Sequence, residues 1–377
     1  MAGYVFNMDS EKSIQECFKK GYYCTALSKK WTQATDGTFA DYLGMKEGDN
    51  IYFFSKRKIY GIGRLVENPT FSNNPAANIP DGKIAEVKNL LPSPKQKIFR
   101  WGCIFEPIPH FFANGVDMDD ILASNPQAFT MLRAFWKLSF IKIDEIENQA
   151  LKDIILYRNC DTATQEAPCD GIYCSKTLPR KLCSIKPQYR LNPQDYFKWS
   201  QDKRKSKSAY YRRESTLECN MMYDLSTKSS ESANNIFGNW DYVSHQVIAS
   251  PFKPIDYMDK MDIWGYEYIK GFQTVLKYKV CELKKGIAGE EELLQCMKYV
   301  EWIRDKYAHG DYSKIKAFLV AADFALPADW KNIVKRNYVS GLRDVRTPCW
   351  EDLTLVKYRY DESIKRAVYE VYKNAEK

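Results

Sequence analysis

The sequence predicts a two-domain protein of mixed α/β and α+β class, and three observations predict it. At 377 residues the chain is longer than one hydrophobic core usually organises, taking roughly 100–200 residues per domain. Hydrophobic residues at 45% and charged residues at 28% describe a globular chain rather than a disordered one. Strand-like and helical patterns alternate along its length, interrupted by a Pro-containing stretch at 159–196 that lacks sustained periodicity.

In chain order, Tyr4-Val5-Phe6 reads as a strand, 13–20 as a short helix, Tyr22-Tyr23-Cys24 as extended chain and 38–43 as a brief helix. Gly48-Asp49 is a turn before the β-branched and aromatic strand 50–54. Lys56-Arg57-Lys58 caps a hairpin whose return strand is 59–66. Gly61 and Gly63 share one face of that strand and allow tight curvature, so the pattern predicts a small β-barrel with helices. Residues 68–80 form a loop, 98–105 another strand, and 117–133 carries helical periodicity through Met118, Ile121, Leu122, Met131 and Leu132. The first domain is expected at 1–158 and an irregular, then basic, connector at 159–209. The second domain, 210–377, is expected to run helix 212–225, strands 242–250 and 277–283, helix 290–307, strand 315–321 and a helical carboxy-terminal extension. That extension is suggested by Ile364, Ala367, Val368 and Val371 at helical spacing.

Several function classes drop out. No stretch approaches 18 consecutive apolar residues, and Met1 leads into Tyr4-Val5-Phe6-Asn7 without a charged and then apolar leader. The expectation is a cytoplasmic protein with no membrane segment. Eleven cysteines, an odd number spread over the chain, suit reduced thiols. Cys160, Cys169, Cys174 and Cys183 offer enough ligands for one zinc but lack a CxxC knuckle, so buried thiols are the preferred reading. Three histidines, His110, His245 and His309, leave little for His-based catalysis, and chemistry is expected to run on carboxylates, lysine and a hard metal. The net charge of +8 points only weakly to a polyanion. Its distribution says more: Lys198, Lys203, Arg204, Lys205, Lys207, Arg212 and Arg213 cluster with Trp199, Tyr210 and Tyr211 between them, a mixture that can neutralise phosphates and stack on bases. A solvated basic linker is the competing reading.

The strand period of two puts Glu282 and Lys284 on one face, with Cys281 and Leu283 on the other. Asp262 lies twenty residues upstream, at a neighbouring strand end across a turn containing Gly271. Two carboxylates and a lysine in one cleft suit phosphodiester hydrolysis: carboxylates hold Mg²⁺, and lysine orients the attacking water or stabilises developing negative charge. Gln295 and Tyr299, at i and i+4, share one face of the 290–307 helix, and so do Glu214 and Glu218 on the helix after the basic segment, either of which can supply a further metal-directed carboxylate.

In that order, Glu214, Asp262-Ile263-Trp264-Gly265, Glu282-Leu283-Lys284-Lys285-Gly286 and Gln295-x-x-x-Tyr299 resemble the PD-(D/E)XK nuclease superfamily over about residues 210–325. The resemblance is to the branch of archaeal mismatch- and flap-cleaving endonucleases and restriction-type relatives. It implies a mixed-sheet nuclease fold in which Asp262 and Glu282, with Glu214, bind Mg²⁺ (Mn²⁺ substituting), Lys284 is the catalytic lysine, and Gln295 and Tyr299 are accessory or DNA-contacting. Asp256 and Asp259 compete with Asp262 for the metal role, and Glu218 with Glu214.

The amino-terminal residues Tyr4-Val5-Phe6-Asn7, the strand entry 48–54 and Tyr60-Gly61-Ile62-Gly63-Arg64-Leu65-Val66 resemble, more loosely, the PUA-like group that includes EVE and YTH domains. There a small barrel holds an extruded modified base, and Tyr23, Trp31, Trp101 and Phe112 are the candidate cage, set against core packing. The combined expectation is a homodimeric, Mg²⁺-dependent DNA endonuclease that reads a modified base, as in restriction of phage DNA, with Lys203, Arg204, Lys205, Arg212 and Arg213 on the backbone. The alternatives are a repair nuclease for branched or mismatched DNA and a non-cutting nucleic-acid-binding protein.

Overall fold

The computed structural model describes residues 1–20, 22–26, 33–65, 99–134, 139–162, 197, 210–251, 258–339 and 348–373. The chain divides into two compact units, Met1–Asn192 and Pro193–Lys377.

The first unit contains β1 (Gly3–Asn7), α1 (Glu11–Lys20), β2 (Tyr22–Ala26), α2 (Gln33–Leu43), β3 (Asn50–Ser55), β4 (Lys58–Leu65), β5 (Phe99–Asp117), α3 (Met118–Ser124), β6 (Phe140–Ile143) and α4 (Glu145–Arg158). Lys56 and Arg57 both take left-handed backbone, as the twist-matching two-residue hairpin turn between β3 and β4 requires. The strands form one sheet in the order β2-β5-β4-β3-β1-β6, with β1 and β3 parallel.

This corrects the expected barrel: among the described residues β2 and β6 are open edges and the sheet does not close. The reason lies in burial. A small barrel alternates inward and outward side chains, whereas Tyr4, Val5 and Phe6, and again Ile51, Tyr52 and Phe53, are buried as consecutive runs. Both faces of the sheet are covered. On one, Val5, Tyr52, Ile59 and Ile62 pack with Ile121 of α3 and Leu151, Ile154 and Ile155 of α4. On the other, Phe6, Phe53, Phe105, Phe140 and Tyr23 form a ring cluster, joined by Phe18 of α1. The helical periodicity over 117–133 yields only α3 and a three-residue 3₁₀ turn, Leu132–Ala134.

The stretch between α3 and β6 is held by one buried carboxylate. Glu147, on the first turn of α4 behind its Asp144 cap, accepts the backbone N–H groups of Thr130, Met131 and Leu132 at 3.1, 3.2 and 2.8 Å. Glu147→Ala leaves those three donors without their acceptor and is expected to cost about 3 kcal/mol, since an orphaned buried donor costs roughly 1 kcal/mol or more. Thermal unfolding of the full chain checks it; an unchanged transition contradicts it.

The second unit contains α5 (Glu214–Thr227), α6 (Glu231–Phe237), β7 (Tyr242–Ile248), β8 (Lys260–Tyr268), β9 (Val275–Ala288), α7 (Glu290–Lys306), β10 (Ile315–Phe324), α8 (Trp330–Val334), β11 (Arg336–Asn337), β12 (Cys349–Trp350), β13 (Leu353–Asp361) and β14 (Arg366–Val371). Six strands form a mixed sheet in the order β14-β13-β10-β9-β8-β7. β7, β8 and β9 are antiparallel neighbours, β9-α7-β10 is a parallel crossover, β13 joins parallel to β10, and β14 closes the edge antiparallel. β10 sits centrally, and Ala317 through Ala321 are buried without alternation, as a strand covered on both faces must be.

The helical carboxy-terminal extension is corrected to strands β13 and β14. Tyr358 and Tyr360 are buried on either side of the exposed Arg359, a period of two, and Ala367 and Tyr369 repeat it on the paired strand. Pairing of β13 with the buried β10 outweighs the local helical spacing around Ile364. Among the described residues no helix is long and apolar enough to cross a membrane.

Candidate active site

The β8–β9 ladder runs from Tyr268↔Val275 to Ile263↔Cys281 and stops there. Beyond that point β8 continues against β7, through Met261↔Val247 and Lys260↔Ile248, while β9 continues against β10, through Lys284↔Ala321. The two strands therefore fork at Asp262 and Glu282, the next residues on each.

A fork strands backbone groups that a ladder would have paired. On β9, Leu283 N–H donates to Asp262 Oδ2 at 2.8 Å, and two residues on, along the same edge, Lys285 N–H donates to Glu214 Oε2 at 3.0 Å. Just before β8, the Asp259 carbonyl turns to the β7 side and accepts Ala249 N–H, so the Lys260 carbonyl turns the other way, into the fork. There it accepts the Tyr299 hydroxyl at 2.7 Å, and Tyr299 accepts Gln295 Nε2 at 2.8 Å. The side chains of Asp262, Glu214 and Tyr299 replace the missing strand partners, with Gln295 behind Tyr299, and all four are predicted site residues.

The electrostatics of the fork are those of crowded carboxylates. Burial pushes the Asp262 carboxyl well above its ordinary range, and the negative charge of Glu218 and Glu214 adds to it. Glu282, 5% exposed, is pushed up by burial and then by the neighbouring carboxylates Asp262 and Glu214, while its Oε2 is buried with no hydrogen-bond partner. Tyr299 is also driven up by burial, so its hydroxyl stays a donor. Lys284 lies on the rim, its ammonium 2.6 Å from Glu292 Oε1, while Glu292 Oε2 accepts Gly289 N–H at the start of α7. Glu292 fixes where the ammonium sits and keeps it charged, leaving two of its three donors for other acceptors.

The other predicted residues lie around the fork or away from it. Glu218 pairs with the buried His245, Nδ1 to Oε1 at 2.7 Å, with its charge still acting on Asp262, and Glu214 accepts Lys285 N–H at the fork edge. Asp259 pairs with Lys298 at 3.3 Å, and Asp256 lies outside the described residues. The Arg212 carbonyl accepts Lys285 Nζ at 3.2 Å, and Arg213 is the N-cap of α5; Lys203, Arg204 and Lys205 lie outside the described residues. In the first unit, Tyr23 is a core ring, stacked on Phe6 at 4.2 Å and 7°, so one of its faces is already taken. Trp31 lies outside the described residues, and Trp101 and Phe112 fall on β5 with side chains outside them. Cys160 is a free, exposed thiol, and Cys169, Cys174 and Cys183 lie outside the described residues. Sequence reasoning missed Glu292 and Gln246, whose Nε2 donates to Asp262 Oδ1 at 3.1 Å. Glu292 carries a local signal, being the third residue of α7, where a glutamate reaches back to the N-cap N–H of Gly289; Gln246 carries none.

Comparison with known proteins adds little to this geometry. No family model matches the chain, and no curated protein matches it in sequence. Among solved structures, the crystal structure of a repair endonuclease from Pyrococcus abyssi is similar at 18% identity over 26% of this chain and 36% of that one, with a TM-score of 0.18. Over so small a share of either chain the likeness assigns neither fold nor activity to the fork.

Proposed function

We propose that the second unit is a divalent-metal-dependent endonuclease acting on DNA, with its active site at the β8–β9 fork. The observation that carries this reading is the buried, partnerless Glu282 Oε2 beside Asp262, with Lys284 two residues on along the same face. Among the described residues no three His, Cys, Asp or Glu side chains are already arranged around a metal position, and Asp262 and Glu282 crowd each other electrostatically. The donor set nevertheless fits a hard cation: oxygens only, crowded enough that burial and mutual repulsion hold a proton where a cation would otherwise sit. Asp262, Glu282 and Glu214 are the residues that would hold Mg²⁺ or Mn²⁺. A bound cation supplies Lewis acidity toward a phosphodiester oxygen.

The rest is the work of the chain. Lys284, an ammonium anchored by Glu292, faces the negative charge that builds on the phosphoryl oxygens. Tyr299 and Gln295 hold the Lys260 carbonyl and so keep the strands apart. The first unit is the reader of a modified base, the basic stretch with Lys203, Arg204, Lys205, Arg212 and Arg213 lies along the DNA backbone, and a homodimer supplies the second site for double-strand cleavage. This layout suits modification-dependent restriction of phage DNA in the cytoplasm.

Lys284→Ala tests it. Cleavage of modified DNA is expected to fall about 10²–10³-fold with the DNA dissociation constant within about twofold, because the lysine serves transition-state charge more than ground-state binding. The substrates are matched unmodified, methylated, hydroxymethylated and glucosylated duplexes with a branched, unmodified control. Preference for the branched control moves the reading to a repair nuclease; binding with no cleavage of any substrate moves it to a non-cutting nucleic-acid-binding protein.

A further inference from the structure

Six described non-glycine residues have left-handed backbone: Lys56, Arg57, Lys228, Gln246, His309 and Lys365. Five stand where such backbone is ordinary, in tight turns or at the C-terminal cap of α5. Gln246 does not. With φ of 51° it lies inside β7, flanked by His245 and Val247, which keep their pairing with Ile263 and Met261. A γ-substituted L-residue is strained in that conformation, and no turn or cap there requires it.

What the strained residue does with its side chain is specific. Gln246 Nε2 donates to Asp262 Oδ1 at 3.1 Å, while Asp262 Oδ2 accepts Leu283 N–H at 2.8 Å. The two bonds, one to each oxygen, fix the rotation of the carboxylate about its own axis. In a regular strand His245 and Gln246 would serve opposite faces. Here both end on members of one interacting carboxylate group, His245 on Glu218 and Gln246 on Asp262.

The geometry points to Gln246 as a positioning residue, held in a left-handed conformation so that its amide orients Asp262 in the fork. The inference deepens the nuclease reading of that site and rests on it for its functional consequence. Strain of this kind persists in a strand only where the surrounding structure over-determines it, and sheet pairing on both sides of Gln246 does so.

Two substitutions separate orientation from strain. Gln246→Gly accepts the backbone and removes the amide; Gln246→Asn accepts the backbone better than Gln and keeps a shorter amide. For Gln246→Gly we expect a melting temperature within about 4 °C of wild type, relief of strain offsetting the lost bond. Mg²⁺ affinity measured calorimetrically without DNA is expected to fall about tenfold, and kcat on cleaved DNA about 10–10²-fold with KM within about twofold, a transition-state loss rather than a binding loss. Gln246→Asn is expected to recover part of both. Hydrogen exchange at Leu283 N–H, whose acceptor is Asp262, should speed up in Gln246→Gly with or without Mg²⁺. If wild type neither binds Mg²⁺ nor cuts DNA, yet Leu283 exchange accelerates in Gln246→Gly and recovers in Gln246→Asn, the nuclease reading fails and the positioning role stands. If Leu283 exchange and Mg²⁺ affinity both match wild type in Gln246→Gly, the positioning role is overturned whatever the wild type cuts.

Discussion

Glu282→Gln is expected to lower Mg²⁺-dependent DNA cleavage by at least about 10³-fold while raising the melting temperature of the metal-free protein by about 2–6 °C. The two effects have one cause. Glu282 is buried against Asp262 with Oε2 unpartnered, an arrangement that costs stability without a cation and is useful only with one. Glutamine keeps the shape and removes the ionisable group, and with it the cost of keeping a proton bound as pH rises. Burial and Asp262 push the Glu282 carboxyl up, so the folded chain keeps a proton that the unfolded chain has released once the pH passes about 4.3. Stability of the metal-free wild type therefore falls as pH rises above that point, and the variant's advantage widens in the same direction. Cleavage assays and melting curves at two pH values read both effects. A variant that melts lower than wild type at every pH, or one that still cuts, contradicts the role given to Glu282.

Gly265→Ala is expected to unfold the second unit, with a loss of more than about 4 kcal/mol, the size that only a short list of mechanisms reaches. A Cβ at Gly265 would run into the Tyr242 carbonyl oxygen and stand 2.8 Å from Trp240 Cε3. The first is backbone of the paired strand, where Val243 faces Gly265, and the second belongs to a buried ring tied by its N–H to the Phe237 carbonyl. Neither moves without breaking the β7–β8 ladder that carries His245, Gln246 and Asp262. Gly286→Ala is the control: nothing lies within 4 Å of its Cβ, and it is expected to stay within about 0.5 kcal/mol of wild type. Soluble yield and thermal transitions of the two variants decide it, and a well-folded Gly265→Ala protein contradicts the close approach.

How much of this was legible beforehand depends on the range of the interaction. The face shared by Glu282 and Lys284 follows from strand periodicity alone, and the i, i+4 pair Gln295 and Tyr299 from helix periodicity, so both were readable locally. The fork was not: it exists because β8 leaves β9 for β7 alone at Asp262, a fact of long-range pairing with no local signature. The pairing of Glu218 with His245, 27 residues away in sequence, is likewise a long-range fact. Gln246 has neither the glycine nor the asparagine that usually announces left-handed backbone. The two errors of fold have local causes. The hairpin at Lys56-Arg57 and the glycines after it suit a curled sheet as well as a barrel, although the unbroken apolar run Tyr4-Val5-Phe6 already argues for cover on both faces. Ile364, Ala367, Val368 and Val371 fit a helical period, but the alternation of β13 across its turn decides the pairing of that segment.

The central claim, that the fork is a divalent-cation site, is tested most directly by soaking crystals of the protein in Mn²⁺ and measuring anomalous scattering. The account predicts a peak coordinated by Asp262 and Glu282 Oε2, with Glu214 alongside, that disappears in Glu282→Gln. A protein that cuts DNA with Mn²⁺ while the fork shows no peak at saturating metal, or binds it only elsewhere, contradicts the account.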